Sequence, residues 1–147
     1  MPRHTLYAYV EGFDLHDIAN RLESRFARFV AETHWVWGKP WVVNQNREGD
    51  PSLGPDDLPG WEVGLNMHLP DPGEEPREWF SDVERIAKFL GRLNTDMGRD
   101  FIIGIGDNER GFSEDLFSVD GPEPNIAFLR KIVGVKDGSA EPGAAPG

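Results

Sequence analysis

One stretch indicates the fold most clearly, residues 5–32, TLYAYVEGFDLHDIANRLESRFARFVAE. Its first six residues alternate, with aliphatic side chains on one face and Tyr7 and Tyr9 on the other, which is the period of a β-strand. Apolar residues then recur every three or four positions over 15–32, which is the period of an amphipathic helix. The stretch therefore predicts a strand followed by a helix.

The middle of the chain repeats this order. Residues 34–45 are rich in Trp and Val and favour a strand, but Gly38-Lys39-Pro40 interrupts them. Proline cannot donate to a central ladder, so we expect a bulge, an edge strand or two short pieces. Residues 61–69 alternate cleanly and predict a half-buried strand. A second helix follows at about 77–96, and Gly98 stands where a helix-ending glycine would.

The last third predicts three further elements. Residues 100–106 are apolar on both faces and favour a central strand. Residues 114–119 return as another strand, and 126–133 form a short helix. The final residues, 136–147, have the Gly, Pro and Ala composition of a flexible tail.

The predicted order is β-α-β-β-α-β, followed by β-α. We therefore expect an α+β, two-layer sandwich with a ferredoxin-like β-α-β-β-α-β core, extended by a C-terminal hairpin strand and short helix. A sheet with a different strand order is the alternative. Residues 1–135 are expected to form a single domain, ahead of the tail at 136–147.

Composition narrows the classes of function. The chain has 147 residues, is 38% hydrophobic and carries a net charge of −11. This acidity argues against binding to nucleic acid, which requires Lys and Arg, and against docking on anionic lipid. No cysteine is present, which excludes disulfides and thiolate metal sites. No apolar run reaches the roughly 20 residues of a membrane span. Without a signal-peptide core, we expect a cytoplasmic protein.

The acidic residues are concentrated in two segments. Residues 48–78 and 107–123 together hold fifteen of the 26 acidic residues and two of the 15 basic ones. Arg and Lys side chains instead mark the outer faces of both long helices. Such acidic segments repel themselves in the folded chain, and a basic partner would relieve that repulsion and be steered toward it.

Motifs for catalysis are weak. The chain has no Walker motif, no nucleophile-elbow serine and no HExxH pair, so we expect no cofactor and no metal site. His68, on the same strand face as Glu62, is the best general-base candidate. Glu114 and Asp115 are the adjacent carboxylates with the most apolar neighbours, as acid–base catalysis by two carboxyls requires. An enzyme is therefore the less favoured class.

The chain resembles, in composition, the small immunity proteins that neutralise bacterial toxins: short, cysteine-free, acidic and aromatic. This resemblance implies a non-enzymatic module that binds a basic protein. Aromatic residues commonly anchor such interfaces. The predicted binding residues are the acidic Asp56, Asp57, Glu74, Glu75, Glu114 and Asp115 and the aromatic Tyr7, Tyr9, Trp37 and Trp41.

Two other functions remain open. One is a small ligand-binding or hydrolytic domain, with a cleft between the sheet and a Pro- and Gly-rich loop at 46–60, which would use His68 and nearby carboxylates. The other is a self-associating structural domain, a possible homodimer with the two tyrosines at its interface.

Overall fold

The computed structural model describes residues 4–12, 15, 17–46, 61–71, 78–107 and 112–136. These residues form five strands and three helices: β1 (His4–Val10), α1 (Ala19–Glu32), β2 (Trp41–Asn46), β3 (Trp61–His68), α2 (Phe80–Met97), β4 (Phe101–Asp107), β5 (Phe112–Val119) and α3 (Ile126–Lys136). The α+β prediction is confirmed.

The five strands form one antiparallel sheet in the order β2-β3-β1-β4-β5. β3, β1 and β4 therefore lie inside the sheet, and β2 and β5 form its edges. The apolar β4 is an interior strand, as its composition predicted. Among the alternatives for the Trp- and Val-rich region, the edge strand is the one observed, because β2 pairs with β3 alone.

The core lies between one face of the sheet and the helices. Alternate residues of the strands are buried there, including Leu6, Leu65 and Ile103, each at most 1% exposed. Phe26 of α1 meets Phe89 of α2 edge to face, with ring centroids 5.5 Å apart. Burial of such side chains contributes about 1.5–3 kcal/mol each, so this shared core holds the helices on the sheet.

The helices differ from the sequence prediction mainly at their N-termini. α1 begins at Ala19 rather than at residue 15, because Ile18 has non-helical dihedral angles. Leu15 is fully buried but lies in a preceding turn, where its carbonyl accepts the Ala19 N–H at 2.8 Å. α2 begins at Phe80 rather than at residue 77. Gly98 ends α2 in the left-handed conformation, as predicted.

Some predicted features lie outside the described residues. They are the loop at 46–60 beyond Asn46 and the tail beyond Lys136. Within the part that is described, no helix is long and apolar enough to cross a bilayer.

Candidate functional site on the open sheet face

The face of the sheet that points away from the described helices is called here the open face. It carries partly or fully exposed side chains at alternate strand positions: Thr5, Tyr7, Tyr9, Trp41, Val43, Asn66, His68, Ile102 and Asp115. Aromatic, amide, imidazole and carboxylate groups therefore share one surface, which is the candidate site.

One register row crosses all five strands of this face. Trp41 pairs with Asn66, Asn66 with Tyr7, Tyr7 with Gly104, and Gly104 with Asp115. Residues paired in this way point to the same side of a sheet. The row therefore places an aromatic ring at one edge and a carboxylate at the other.

A β-bulge decides which acidic residue of β5 reaches the open face. Phe117 pairs with the buried Ile103, but Gly104 pairs with Asp115, so Leu116 is an extra residue in the ladder. Glu114 pairs with the buried Ile105 and so belongs to the other side of the strand. Glu114 and Asp115 thus point to opposite faces and do not form a joint carboxylate site.

Both tyrosines of the chain donate to this one carboxylate. The Tyr7 hydroxyl donates to Asp115 Oδ1 at 2.7 Å, and the Tyr9 hydroxyl donates to Asp115 Oδ2 at 3.1 Å. The two rings are 5.8 Å apart between centroids. Neutral O–H donors orient a carboxylate but leave its negative charge in place. No Lys, Arg or His among the described residues forms an ion pair with Asp115.

Gly104 is what allows Tyr7 to reach across β4. A Cβ atom at Gly104 would overlap the Tyr7 ring and its hydroxyl, and also the Glu114 carbonyl oxygen. The Tyr7 ring therefore occupies the space that any other residue would fill. Tyr7 also borders a cleft of about 480 Å³, whose lining is Tyr7, Ala8, Tyr9, Val43, Gly64, Leu65, Asn66 and Asp115. This volume lies in the range of ligand sites.

Aromatic side chains continue the open face toward β2. Trp41 is 42% exposed and tilts against His68, with ring centroids 4.9 Å apart. The Trp37 indole N–H donates to the His68 carbonyl at 2.8 Å, and His68 Nδ1 lies 3.3 Å from the Thr5 hydroxyl. His68 is therefore held in a structural cluster rather than paired with a described carboxylate.

A buried carboxylate holds the segment that carries Trp37. Asp82 of α2 is fully buried, and its two oxygens accept the backbone N–H groups of Val36 and Trp37, each at 2.8 Å. Arg85 also donates to it at 3.4 Å. The carboxylate thus satisfies the N–H groups of Val36 and Trp37 in place of a neighbouring strand. The segment before β2 is therefore fixed without being part of the sheet.

The predicted binding residues are only partly brought together. Tyr7, Tyr9 and Asp115 meet in the cleft, and Trp41 lies in the same register row. Trp37 lies beside this group through His68. Asp56, Asp57, Glu74 and Glu75 lie outside the described residues, as does the side chain of Glu62.

Sequence reasoning did not single out Asn66, Val43, Gly104 or Asp82. The first three are ordinary strand residues whose importance depends on long-range register. Asp82 stands in the first turn of α2, a common place for an acidic residue because it suits the helix dipole. Its partners lie about 45 residues away in sequence, so no local pattern could identify them.

No protein-family model matches the chain, and no curated protein or solved structure is significantly similar to it. Among the residues that the structure describes, no three His, Asp or Glu side chains are placed to hold a metal ion.

Proposed function

We propose that the chain is a non-enzymatic protein-binding module that engages a basic protein through the open face. The observation that carries this proposal is the Asp115 carboxylate, which is exposed in a cleft, fixed by two tyrosine hydroxyls and without a cationic partner in the described residues. A fixed, uncompensated charge is a preorganised acceptor for a cation from another molecule.

The net charge of the whole chain also favours a positively charged partner. A net charge of −11 raises the local concentration of positively charged proteins and accelerates their association at low salt. Such long-range attraction sets the rate of encounter, while close contacts set the lifetime of the complex.

The exposed aromatic residues supply the close contacts. Trp41 and Trp37 are 42% and 37% exposed. Trp41 lies at the end of the open face opposite Asp115, and the Trp37 indole donates to the carbonyl of His68, whose ring contacts Trp41. Tryptophan and tyrosine are common anchors of protein interfaces, because their rings bury a large apolar area at low entropic cost. One face thus combines anchors with a charge.

A narrower form of the proposal is an inhibitor-type role, in which the module covers a functional basic surface of its partner. The composition of the chain, which resembles that of immunity proteins, and the exposed aromatic rings and Asp115 carboxylate of the open face support this form. An activity assay of the identified partner, with and without the module, tests it.

The main experiment compares two variants that each remove one negative charge. Asp115→Asn alters the open face, whereas Glu84→Gln alters an exposed pair with Lys88 on α2. Immobilised wild-type and variant proteins are incubated with lysate of the source cell at about 50 mM salt, and retained proteins are identified. Binding to the purified partner is then measured by calorimetry.

We expect the wild type and Glu84→Gln to retain the same basic protein, and Asp115→Asn to bind it about tenfold or more weakly. Equal retention by all three proteins would contradict the proposal. Recovery of the chain alone as a symmetric dimer would instead assign the open face to self-association.

The finer fold assignment is also an inference. We infer that β1, α1, β2, β3, α2 and β4 form a ferredoxin-like unit, supported by their order along the chain and by the strand order β2-β3-β1-β4. β5 and α3 then extend this unit, and β5 contributes the carboxylate of the cleft.

A further inference from the structure

We infer that the cleft accepts one arginine side chain of the partner, with its guanidinium group on Asp115. This inference rests on the proposed function and specifies the group that the partner presents. It follows from the acceptor positions that Asp115 has left, from the aromatic rings beside it and from the volume available.

The acceptors suit a planar group with several donors. Each oxygen of Asp115 accepts one tyrosine hydroxyl, and a carboxylate oxygen has two acceptor positions. One position on each oxygen is therefore left, so the carboxylate can accept two further N–H donors, the number that one edge of a guanidinium group supplies. Asn66 also lines the cleft, and its side-chain amide has no hydrogen bond to the protein in the described region. Because β1 and β4 separate its strand from β5, its oxygen can accept from another group of the partner, outside the reach of the guanidinium group on Asp115.

The rings favour arginine over lysine. Tyr7 and Tyr9 line the cleft with their hydroxyls fixed on Asp115 and their planes inclined by 37°. A guanidinium group stacks on aromatic faces and is weakly hydrated, whereas an ammonium group is a compact and strongly hydrated charge. Rings that are already held in place add this contact with little loss of side-chain entropy.

The volume and walls suit a side chain rather than an ion. The cleft holds about 480 Å³, and Val43 forms an apolar part of its wall. The methylene groups of an arginine can pack against the Tyr7 and Tyr9 rings while the charged end contacts Asp115. A bare metal ion would need several oxygen ligands, and the described part of the cleft provides a single carboxylate.

The tyrosine content provides a selective probe. The chain has two tyrosines, and both line the cleft. Selective ¹³C labelling of tyrosine rings therefore gives NMR signals from the cleft alone. The probes are three blocked pentapeptides, Gly-Gly-X-Gly-Gly, in which X is arginine, lysine or citrulline. Citrulline has the shape of arginine but no charge.

We expect the arginine peptide to shift both tyrosine signals in a saturable way, with a dissociation constant on the order of 1 mM. Citrulline should bind about tenfold more weakly and lysine about threefold more weakly, because one lacks charge and the other lacks the planar donors. Asp115→Asn should weaken arginine binding about tenfold, and Glu84→Gln should leave it unchanged. Thermal melting of each variant verifies that it is folded.

Three results would overturn the inference: tyrosine signals unaffected by the arginine peptide, equal binding of arginine and citrulline, or equal binding of arginine and lysine. Failure of the proposed function is recognised separately. If the peptide does not bind but a basic protein is retained in an Asp115-dependent manner, the arginine assignment is wrong and the proposal of a protein-binding module is supported. If the peptide binds but no such protein is retained, the protein-partner proposal is wrong.

Discussion

Asp82 and Asp115 are both held by hydrogen bonds from their own chain, yet their surroundings differ. Asp82 is fully buried and accepts two backbone N–H groups and a donor of Arg85. Asp115 is exposed, accepts two hydroxyls and has no basic partner among the described residues. A buried charge must be compensated within the fold, whereas an exposed one can be left for a ligand. The surroundings of Asp82 are those of a structural carboxylate, and we propose that Asp115 is the one that binds a partner.

The largest expected effect of a substitution is on Asp82. In Asp82→Asn the amide keeps one acceptor oxygen, and its NH₂ group faces a backbone N–H donor. We expect the free energy of unfolding to fall by about 3 kcal/mol, because a buried donor loses its charged partner. Urea denaturation measures this change. Glu84→Gln, two residues away and exposed, should change stability by less than about 0.5 kcal/mol. A loss below about 1 kcal/mol for Asp82→Asn would contradict a structural role for Asp82.

The next effect concerns the glycine beneath Tyr7. In Gly104→Ala the new methyl group would overlap the Tyr7 ring and the Glu114 carbonyl oxygen, so we expect a loss of about 2 kcal/mol in stability. The ring should also leave Asp115, which the ¹³C-tyrosine signals report. Gly38→Ala is the matched control, because no atom lies within 4 Å of its added Cβ. If Gly104→Ala were as stable as Gly38→Ala, the cleft would not depend on this close approach.

The smallest effect on stability is expected at the tyrosine hydroxyls. Tyr7→Phe removes the donor at 2.7 Å from Asp115 and should lower the unfolding free energy by about 0.5–1 kcal/mol, since the bond is exposed. The same change should weaken binding of the arginine peptide severalfold, because Asp115 is then less well oriented. Tyr9→Phe, which removes the 3.1 Å bond, should have a smaller effect on both. A large loss of stability with unchanged peptide binding would indicate that Asp115, like Asp82, has a structural role rather than a binding role.

The order of strands and helices could be predicted because it depends on local periodicity. The positions of Tyr7 and Tyr9 opposite the aliphatic residues of β1 follow from the two-residue repeat of a strand. The start of α1 was placed four residues early because Leu15 and Ile18 continue the helical pattern of apolar residues. Both residues contribute to the core from a turn. The spacing of apolar residues alone does not distinguish such a turn from the first turn of the helix.

The candidate site could be predicted only in part, because its geometry depends on long-range pairing. Asp115 is 108 residues from Tyr7 in sequence, and the two meet only when β1, β4 and β5 are adjacent. Simple alternation from Phe117 would place Leu116 and Glu114 on the open face. The bulge at Leu116 reverses this assignment for Asp115.

The register row from Trp41 to Asp115 also sets a minimum size for whatever touches both of its ends. The row crosses all five strands, and neighbouring strands lie about 4.8 Å apart, so its ends are about 19 Å apart. An extended peptide advances about 3.3 Å per residue, so about six residues are needed to cover that length. A free amino acid or a small metabolite can occupy the cleft but cannot also reach Trp41. The width of the sheet thus separates cleft ligands from partners that use the full row.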